Sequence, residues 1–255
     1  MKPKIAFFSF TSCEGCQLTV LTLEEKLLEL LEHVDVVAFR EAMDNPPVSP
    51  FTKGGKRGIE DYDIAFVEGS ITRQSEIPQL EEIRKRAKIL IAFGACATTG
   101  GVNYLKNYLD MEQVKRIVYK ECADKFDTIP TMPLEEVVKV DYRIEGCPID
   151  RDEFVEVTKS LLLGRKPRIP TYPVCVECKL RENVCVFDKG LFCLGPITRA
   201  GCKAICPTYG NGCEGCRGLI DDPNTSAHIN VLKEHGMTAE EAIGRCKLFL
   251  GKKTK

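Results

Sequence analysis

Fourteen of the 255 residues are cysteines, and no other residue type in this chain offers comparable chemistry. Thiolates bind soft metals, and four of them suffice for an iron–sulfur cubane or a zinc ion. Cys13 and Cys16 stand in Thr11-Ser12-Cys13-Glu14-Gly15-Cys16, between the apolar run 5–10 and the leucine-rich segment 18–31. That context predicts a strand-to-helix turn, where unpaired N–H groups and the positive end of a helix suit an anionic ligand or cluster. Two further apolar runs end in cysteine. Run 89–93 leads into Gly94-Ala95-Cys96, and run 138–144 leads into Glu145-Gly146-Cys147-Pro148. Ligands of an open parallel α/β sheet bind beyond the carboxyl ends of its strands. Cys13, Cys16, Cys96 and Cys147 are therefore expected to meet at one edge as a four-thiolate cluster site.

Eight more cysteines fall between positions 175 and 216. They read Cys175-x2-Cys178-x6-Cys185-x7-Cys193, then Cys202-x3-Cys206-Pro207-x5-Cys213-x2-Cys216. Eight thiolates divide into two cubanes. Zinc, which also takes four thiolates, stays open as the alternative. Disulfides fit less well, because the chain is long and starts Met1-Lys2-Pro3 directly before a strand, without a signal peptide or twin-arginine leader. A cytoplasmic location is expected. Cys122 and Cys246 lie outside both groups and read as ordinary buried thiols, and His33, His228 and His235 receive no ligand role. Glu68, at the end of the third predicted strand, either touches the cluster surroundings or caps the next helix. Thr11 and Ser12 hint at a flavin phosphate loop, but Cys13 and Cys16 occupy the place of the phosphate.

Alternating patterns supply the elements that must position these thiols. Strands are predicted over 4–10, 34–39, 63–67, 89–93 and 138–144. Helices are predicted over 16–32, with Leu18, Leu21, Leu28 and Leu31 on one stripe, over 77–87, and from about 150 to 163. The fold class is α/β: a flavodoxin-like, doubly wound parallel sheet of order 2-1-3-4-5. The connection over 45–58, rich in proline and glycine and carrying Lys53, Lys56 and Arg57, is either a plain surface loop or a partner contact. A linker, Gly164-Arg165-Lys166-Pro167-Arg168-Ile169-Pro170, separates a sheet domain (1–165) from a small irregular iron–sulfur domain (166–255). The cysteine-rich stretch has too few large apolar residues for a core of its own and needs metal to fold. Helical signals return after Thr225, with Thr238 and Glu241 forming a capping box, and that tail is expected to pack back onto the body.

Composition removes other classes. A formal charge of −1 with 29% charged residues leaves no basic footprint for nucleic acid, and no apolar run is long enough to span a bilayer. No acid–base or nucleophilic apparatus is apparent, so catalysis is expected on another chain.

The motifs resemble the small subunit of NiFe hydrogenases, over nearly the whole chain. The likeness rests on Cys13-Glu14-Gly15-Cys16, Val67-Glu68-Gly69-Ser70, Gly94-Ala95-Cys96-Ala97 followed by Gly100-Gly101, and Gly146-Cys147-Pro148. It continues in Cys193-Leu194-Gly195-Pro196-Ile197-Thr198 followed by Cys202. The branch it resembles most is the delta subunit of soluble archaeal sulfhydrogenases, in heterotetrameric complexes that couple hydrogen to NAD(P)(H) and can reduce sulfur. The resemblance implies three 4Fe-4S clusters. Cys13, Cys16, Cys96 and Cys147 would hold the proximal one, Cys202, Cys206, Cys213 and Cys216 the medial, and Cys175, Cys178, Cys185 and Cys193 the distal. It places the NiFe centre on a large subunit and FAD on an NAD(P)-reducing, iron–sulfur-containing partner. Cys175 stands where exported relatives have histidine, and Cys206 where they have proline. Two related readings remain beside it, a free-standing ferredoxin-like carrier and a complex I-like small subunit.

Overall fold

The computed structural model describes residues 2–43 and 61–251, and the predicted connection over 45–58 lies outside them. The chain opens with β1 (Lys4–Ser9), the short helices α1 (Gly15–Leu21) and α2 (Glu25–Leu31), and β2 (Asp35–Phe39). Next come β3 (Tyr62–Glu68), β4 (Ile71–Arg73), α3 (Glu76–Arg86), β5 (Ala87–Phe93) and α4 (Ala95–Thr99). After a 3-10 segment come α5 (Met111–Tyr119), β6 (Thr128–Met132), β7 (Tyr142–Ile144) and α6 (Arg151–Leu162). Beyond these lie α7 (Val174–Leu180), α8 (Ile205–Thr208), α9 (Thr225–Glu234) and α10 (Ala239–Leu250).

Strands β2, β1, β3, β5 and β7 form one parallel sheet in that order, the 2-1-3-4-5 arrangement expected from the alternating pattern. Successive side chains along a strand point to opposite faces. Ile5, Phe7, Phe66 and Phe93 accordingly join one core with Val20, Leu30 and Phe154, while Ala6, Phe8, Ala65 and Ala92 join another with Leu80 and Ile83 of α3. The first core is aromatic: Phe7 stacks on Phe66 at 4.9 Å, and Phe154 of α6 lies 5.3 Å from Phe66.

Three local expectations are corrected. The helix over 16–32 breaks at Glu24, whose φ of 53° cannot continue an α-helix. The two halves are phased separately: Val20, Leu23 and Leu30 are buried while Leu18 and Leu28 are exposed. The strand over 138–144 contracts to β7, because Val138 and Val140 turn onto the second core instead of pairing. Asp141 marks that turn, its carboxylate accepting from Leu90 N (2.9 Å) and from Arg84 (2.5 Å). An antiparallel pair, β4 with β6, adds to the expected elements.

The cysteine-rich stretch does contribute to cores, with help. Val174, Val186, Cys193, Ala204 and Cys213 form one small cluster, and Leu194, Ile197 and Leu219 join Leu232, Ala242, Cys246 and Leu250 of the tail in another. The predicted capping box at Thr238 and Glu241 is present, and the tail docks onto the body. Thr99 donates to the Phe249 carbonyl (2.6 Å) and Tyr108 to that of Gly251 (2.7 Å). Among the described residues no helix is long and apolar enough to cross a membrane.

Buried charge joins the sheet to the cysteine-rich stretch. Arg217, 1% exposed, pairs with Glu153 of α6 (2.6 Å) and donates to the carbonyls of Glu145 (2.6 Å) and Ala200 (2.8 Å). Arg199 pairs with Glu145 at 3.1 Å. Removing one partner of such a pair leaves the other charge buried and uncompensated, at a cost of about 3–5 kcal/mol. Arg217→Met should lower the unfolding free energy by about that amount in chemical denaturation, and a loss below about 1 kcal/mol would contradict this account of the seam.

Candidate metal-cluster site

The sheet register explains how cysteines so distant in sequence come together. Ser9 is level with Glu68, Glu68 with Phe93, and Phe93 with Ile144. All four strands are parallel, so the turns after them leave from one edge. Cys13 lies four residues beyond the level end of β1, Cys96 three beyond that of β5, and Cys147 three beyond that of β7.

Backbone conformation completes the placement. Glu14, between the first two cysteines, adopts φ 60° and ψ 11°, the left-handed region, with its carboxylate accepting from Ser9 Oγ at 2.7 Å. Gly94 has φ +87°, and a Cβ there would overlap the Cys16 sulfur, so only glycine fits. Glu68 is 2% exposed, and its two oxygens accept from Cys16 N (3.2 Å) and Gln17 N (3.1 Å). It caps α1, the helix after β1, and also acts on the thiols beside it. The helix it caps is α1 rather than the next one along the chain, and its carboxylate lies beside the thiols of Cys16, Cys96 and Cys147.

The four thiols feel one another. Burial pushes Cys16 far up, and Glu68, Cys147 and Cys96 add to the effect. Burial raises Cys96 to about 12, reinforced by Cys147, Cys13 and Glu68, and raises Cys147 alongside Cys13 and Glu68. The remaining eight are tied together more broadly, because Cys206 and Cys213 each feel Cys193 as well as a neighbour in the 202–216 stretch. Cys175 is raised to about 11 by burial, then by Cys193, Cys178 and Cys185. Cys206 is raised by burial and then by Cys202, while Cys216 reaches about 12 through burial, with Cys202 and Cys206 adding to it.

Two backbone N–H contacts join these cysteine stretches. The backbone N–H of Cys147 pulls the Cys216 sulfur back down, linking the sheet-edge group to the Cys202–Cys216 group. Cys213 N donates to Cys193 Sγ at 3.3 Å, linking that group to the third. Gly195 N also donates to Cys193 Sγ (3.4 Å). A cavity of about 300 Å³ opens between Cys147 and Cys202, Cys206, Cys213 and Cys216.

This environment fits iron–sulfur clusters. The donor set is all thiol, N–H groups aim at sulfur, and Gly94 leaves the Cys16 sulfur the space a side chain would take. Among the described residues no three His, Cys, Asp or Glu side chains stand close enough to hold a single metal ion. A cubane carries four irons, each with its own thiolate, so its ligands need not close on one point.

Two cysteines stand apart. Cys246 is buried as expected, but Cys122 is exposed, because the 3-10 turn that carries it buries only Ala123. Reading the sequence missed Arg217, which comes directly after Cys216. Its guanidinium offsets the burial of Cys202 and Cys216, and a cation beside a ligand cysteine was the available signal.

Comparison with known proteins agrees with this geometry. A family model described as NADH ubiquinone oxidoreductase, 20 Kd subunit, matches residues 13–161. Sulfhydrogenase 2 subunit delta of Pyrococcus furiosus is 37% identical over 243 residues, spanning 95% of this chain and 96% of the relative. A subunit of the vhu F420-non-reducing hydrogenase of Methanocaldococcus jannaschii is 33% identical, spanning 96% and 93%. A chain of the solved NAD+-reducing NiFe hydrogenase in its H2-reduced state is 28% identical with a TM-score of 0.54, covering 67% of this chain and 96% of that one. The chain belongs to the 20 Kd subunit family, whose model matches more than half of it. Within that family it is a small subunit of the NiFe hydrogenase kind, an electron-transfer component of a hydrogenase complex.

Gly94→Ala should displace the Cys16 sulfur and lower the iron and acid-labile sulfide bound per chain. Unchanged iron content would show that the Cys16 sulfur has room to spare.

Proposed function

We propose that this chain relays electrons between the NiFe site of a large subunit and a flavin- and iron–sulfur-containing partner that reduces NAD(P)+, with sulfur reduction as a further outlet. Cys13, Cys16, Cys96 and Cys147 would hold a proximal 4Fe-4S cluster, Cys202, Cys206, Cys213 and Cys216 a medial one, and Cys175, Cys178, Cys185 and Cys193 a distal one. The clusters, when bound, supply reversible one-electron transfer. Residues 1–165 and 166–255 form the two corresponding units.

The observation that carries this reading is that backbone N–H groups join the three cysteine stretches, Cys147 to the Cys216 sulfur and Cys213 to the Cys193 sulfur. Each group meets the next through a backbone N–H directed at sulfur, which stabilises negative charge there. Arg217 offsets negative charge at the middle group. Cys13 and Cys147 are exposed at the sheet edge, and Leu18, 48% exposed, lies on the helix just after Cys13, as a surface awaiting a partner would require.

The relatives bear on the rival readings. The 20 Kd family model ends at residue 161, before the eight clustered cysteines, whereas the sulfhydrogenase and vhu relatives span 95% and 96% of the chain. That favours a hydrogenase over a complex I-like subunit. The NAD+-reducing chain covers only 67%, so the sulfhydrogenase likeness supports the full set of twelve ligands better than it does.

Purified with its partners without air, the complex should oxidise H2 with NAD(P)+ as acceptor, and the isolated, cluster-loaded chain should show no hydrogen uptake. Uptake by the chain alone would refute the assignment of catalysis to another subunit. Cys206→Pro should convert one four-iron cluster to a three-iron form, seen by electron paramagnetic resonance. A three-iron signal already present in the unaltered chain would remove Cys206 from the ligand set.

A further inference from the structure

Away from the cysteines, a cleft of about 660 Å³ lies between α5, the β4/β6 pair and the residues after β1. Four cations line it: Arg73, Lys106, Lys115 and Lys125. Its lining holds one acidic side chain, Asp127. Lys115 is already paired with Glu112, at 2.9 Å. Arg73, Lys106 and Lys125 form no ion pair with any described residue. Lys106 is half-buried and donates only to Thr128 Oγ1 (3.0 Å). Burial pulls its ammonium below the usual lysine range, and the nearby Glu76, one of whose oxygens accepts from Thr72 N (2.8 Å) and Arg73 N (3.1 Å), opposes this. A half-desolvated cation held in no ion pair favours a further anion.

The other wall is apolar and uncovered. Helix α5 buries none of its nine residues, although short helices depend on packing for most of their stability. Met111, Val114 and Val118 share the face that lines the cleft. Val118, Tyr119 and Phe126 are exposed there, and Ile117 of the same helix and Leu109 just before it are exposed as well. That extent exceeds what a small anion would cover and suits a polypeptide.

The occupant does not come from this chain's remaining residues. Stretch 44–60 carries Lys53, Lys56 and Arg57 against Asp44 and Glu60, and the last four residues read Lys-Lys-Thr-Lys. Both are cationic and would be repelled. Meanwhile Thr11, in the cleft wall, stands two residues before Cys13, so the cleft adjoins the edge that awaits the large subunit.

We propose that this cleft docks an acidic, partly apolar segment of the large subunit, with carboxylates on Arg73, Lys106 and Lys125 and an apolar side chain against α5. The proposal rests on the reading of the chain as a hydrogenase small subunit. Complementary charge of this kind fixes partner choice and register and makes association salt-dependent.

The test uses the full chain co-expressed with the large subunit and captured through a tag on this chain at graded salt. Arg73 and Lys125 are exposed, so the double variant R73E/K125E should fold and bind iron as the unaltered chain does, checked by visible absorbance. It should hold the large subunit about tenfold more weakly at low salt, and Lys106→Gln should weaken binding in the same direction. Equal retention of the large subunit by all three chains at every salt concentration would overturn the proposal. So would equal retention accompanied by binding of inorganic pyrophosphate to the free chain, which would mark the cleft as a small-anion site. If the unaltered, iron-loaded chain retains no large subunit at all, the functional reading fails with it.

Discussion

Burial of sulfur is the condition on which the rest of this structure depends. Burial raises the thiol above its ordinary value at nine of the twelve proposed ligands: Cys16, Cys96, Cys147, Cys175, Cys193, Cys202, Cys206, Cys213 and Cys216. A thiolate is disfavoured in such surroundings, and neighbouring thiolates disfavour one another further. Positive charge must offset this. Iron supplies it in the proposed holoprotein, and the chain contributes amide N–H groups and the buried guanidinium of Arg217. The protein thus builds sites that gain by binding metal, because the metal relieves what the fold imposes.

Sheet order and register turn this local condition into a global one. Parallel strands with level ends deliver Cys13, Cys96 and Cys147 to one edge, and Glu68 of the remaining strand caps the helix that carries Cys16. The buried pairs Arg217–Glu153 and Arg199–Glu145 then fix the cysteine-rich stretch against that edge. This brings the Cys147 N–H to the Cys216 sulfur. Stability and function meet at the seam, since the same guanidinium that ties α6 to the second region also acts on Cys202.

Much of this was legible in the residues. Apolar runs leading into Gly94-Ala95-Cys96 and Gly146-Cys147 announce strand ends that carry cysteines, and the alternation of strands and helices leaves few topologies besides 2-1-3-4-5. The capping box at Thr238 and Glu241 was equally plain, because its mechanism is local. What escaped depends on tertiary context. The positive φ at Glu24 breaks a helix whose leucine stripe looked continuous, and nothing in that stripe marks the break. The pairing of β4 with β6 joins segments more than fifty residues apart and has no local signature. Arg217 looked like one more charge in a polar stretch, and its burial arises only from the placement of Glu153 and the Glu145 carbonyl around it.

Iron anomalous diffraction from crystals of the complex, grown without air, addresses the central claim most directly. Three separate iron centres should appear in this chain, one at the sheet edge among Cys13, Cys16, Cys96 and Cys147, and two in line beyond it among the remaining eight ligands. The middle one should lie between Cys147 and Cys193. Anomalous signal only at the zinc edge, or iron at the sheet edge with none among the other eight cysteines, would contradict the account.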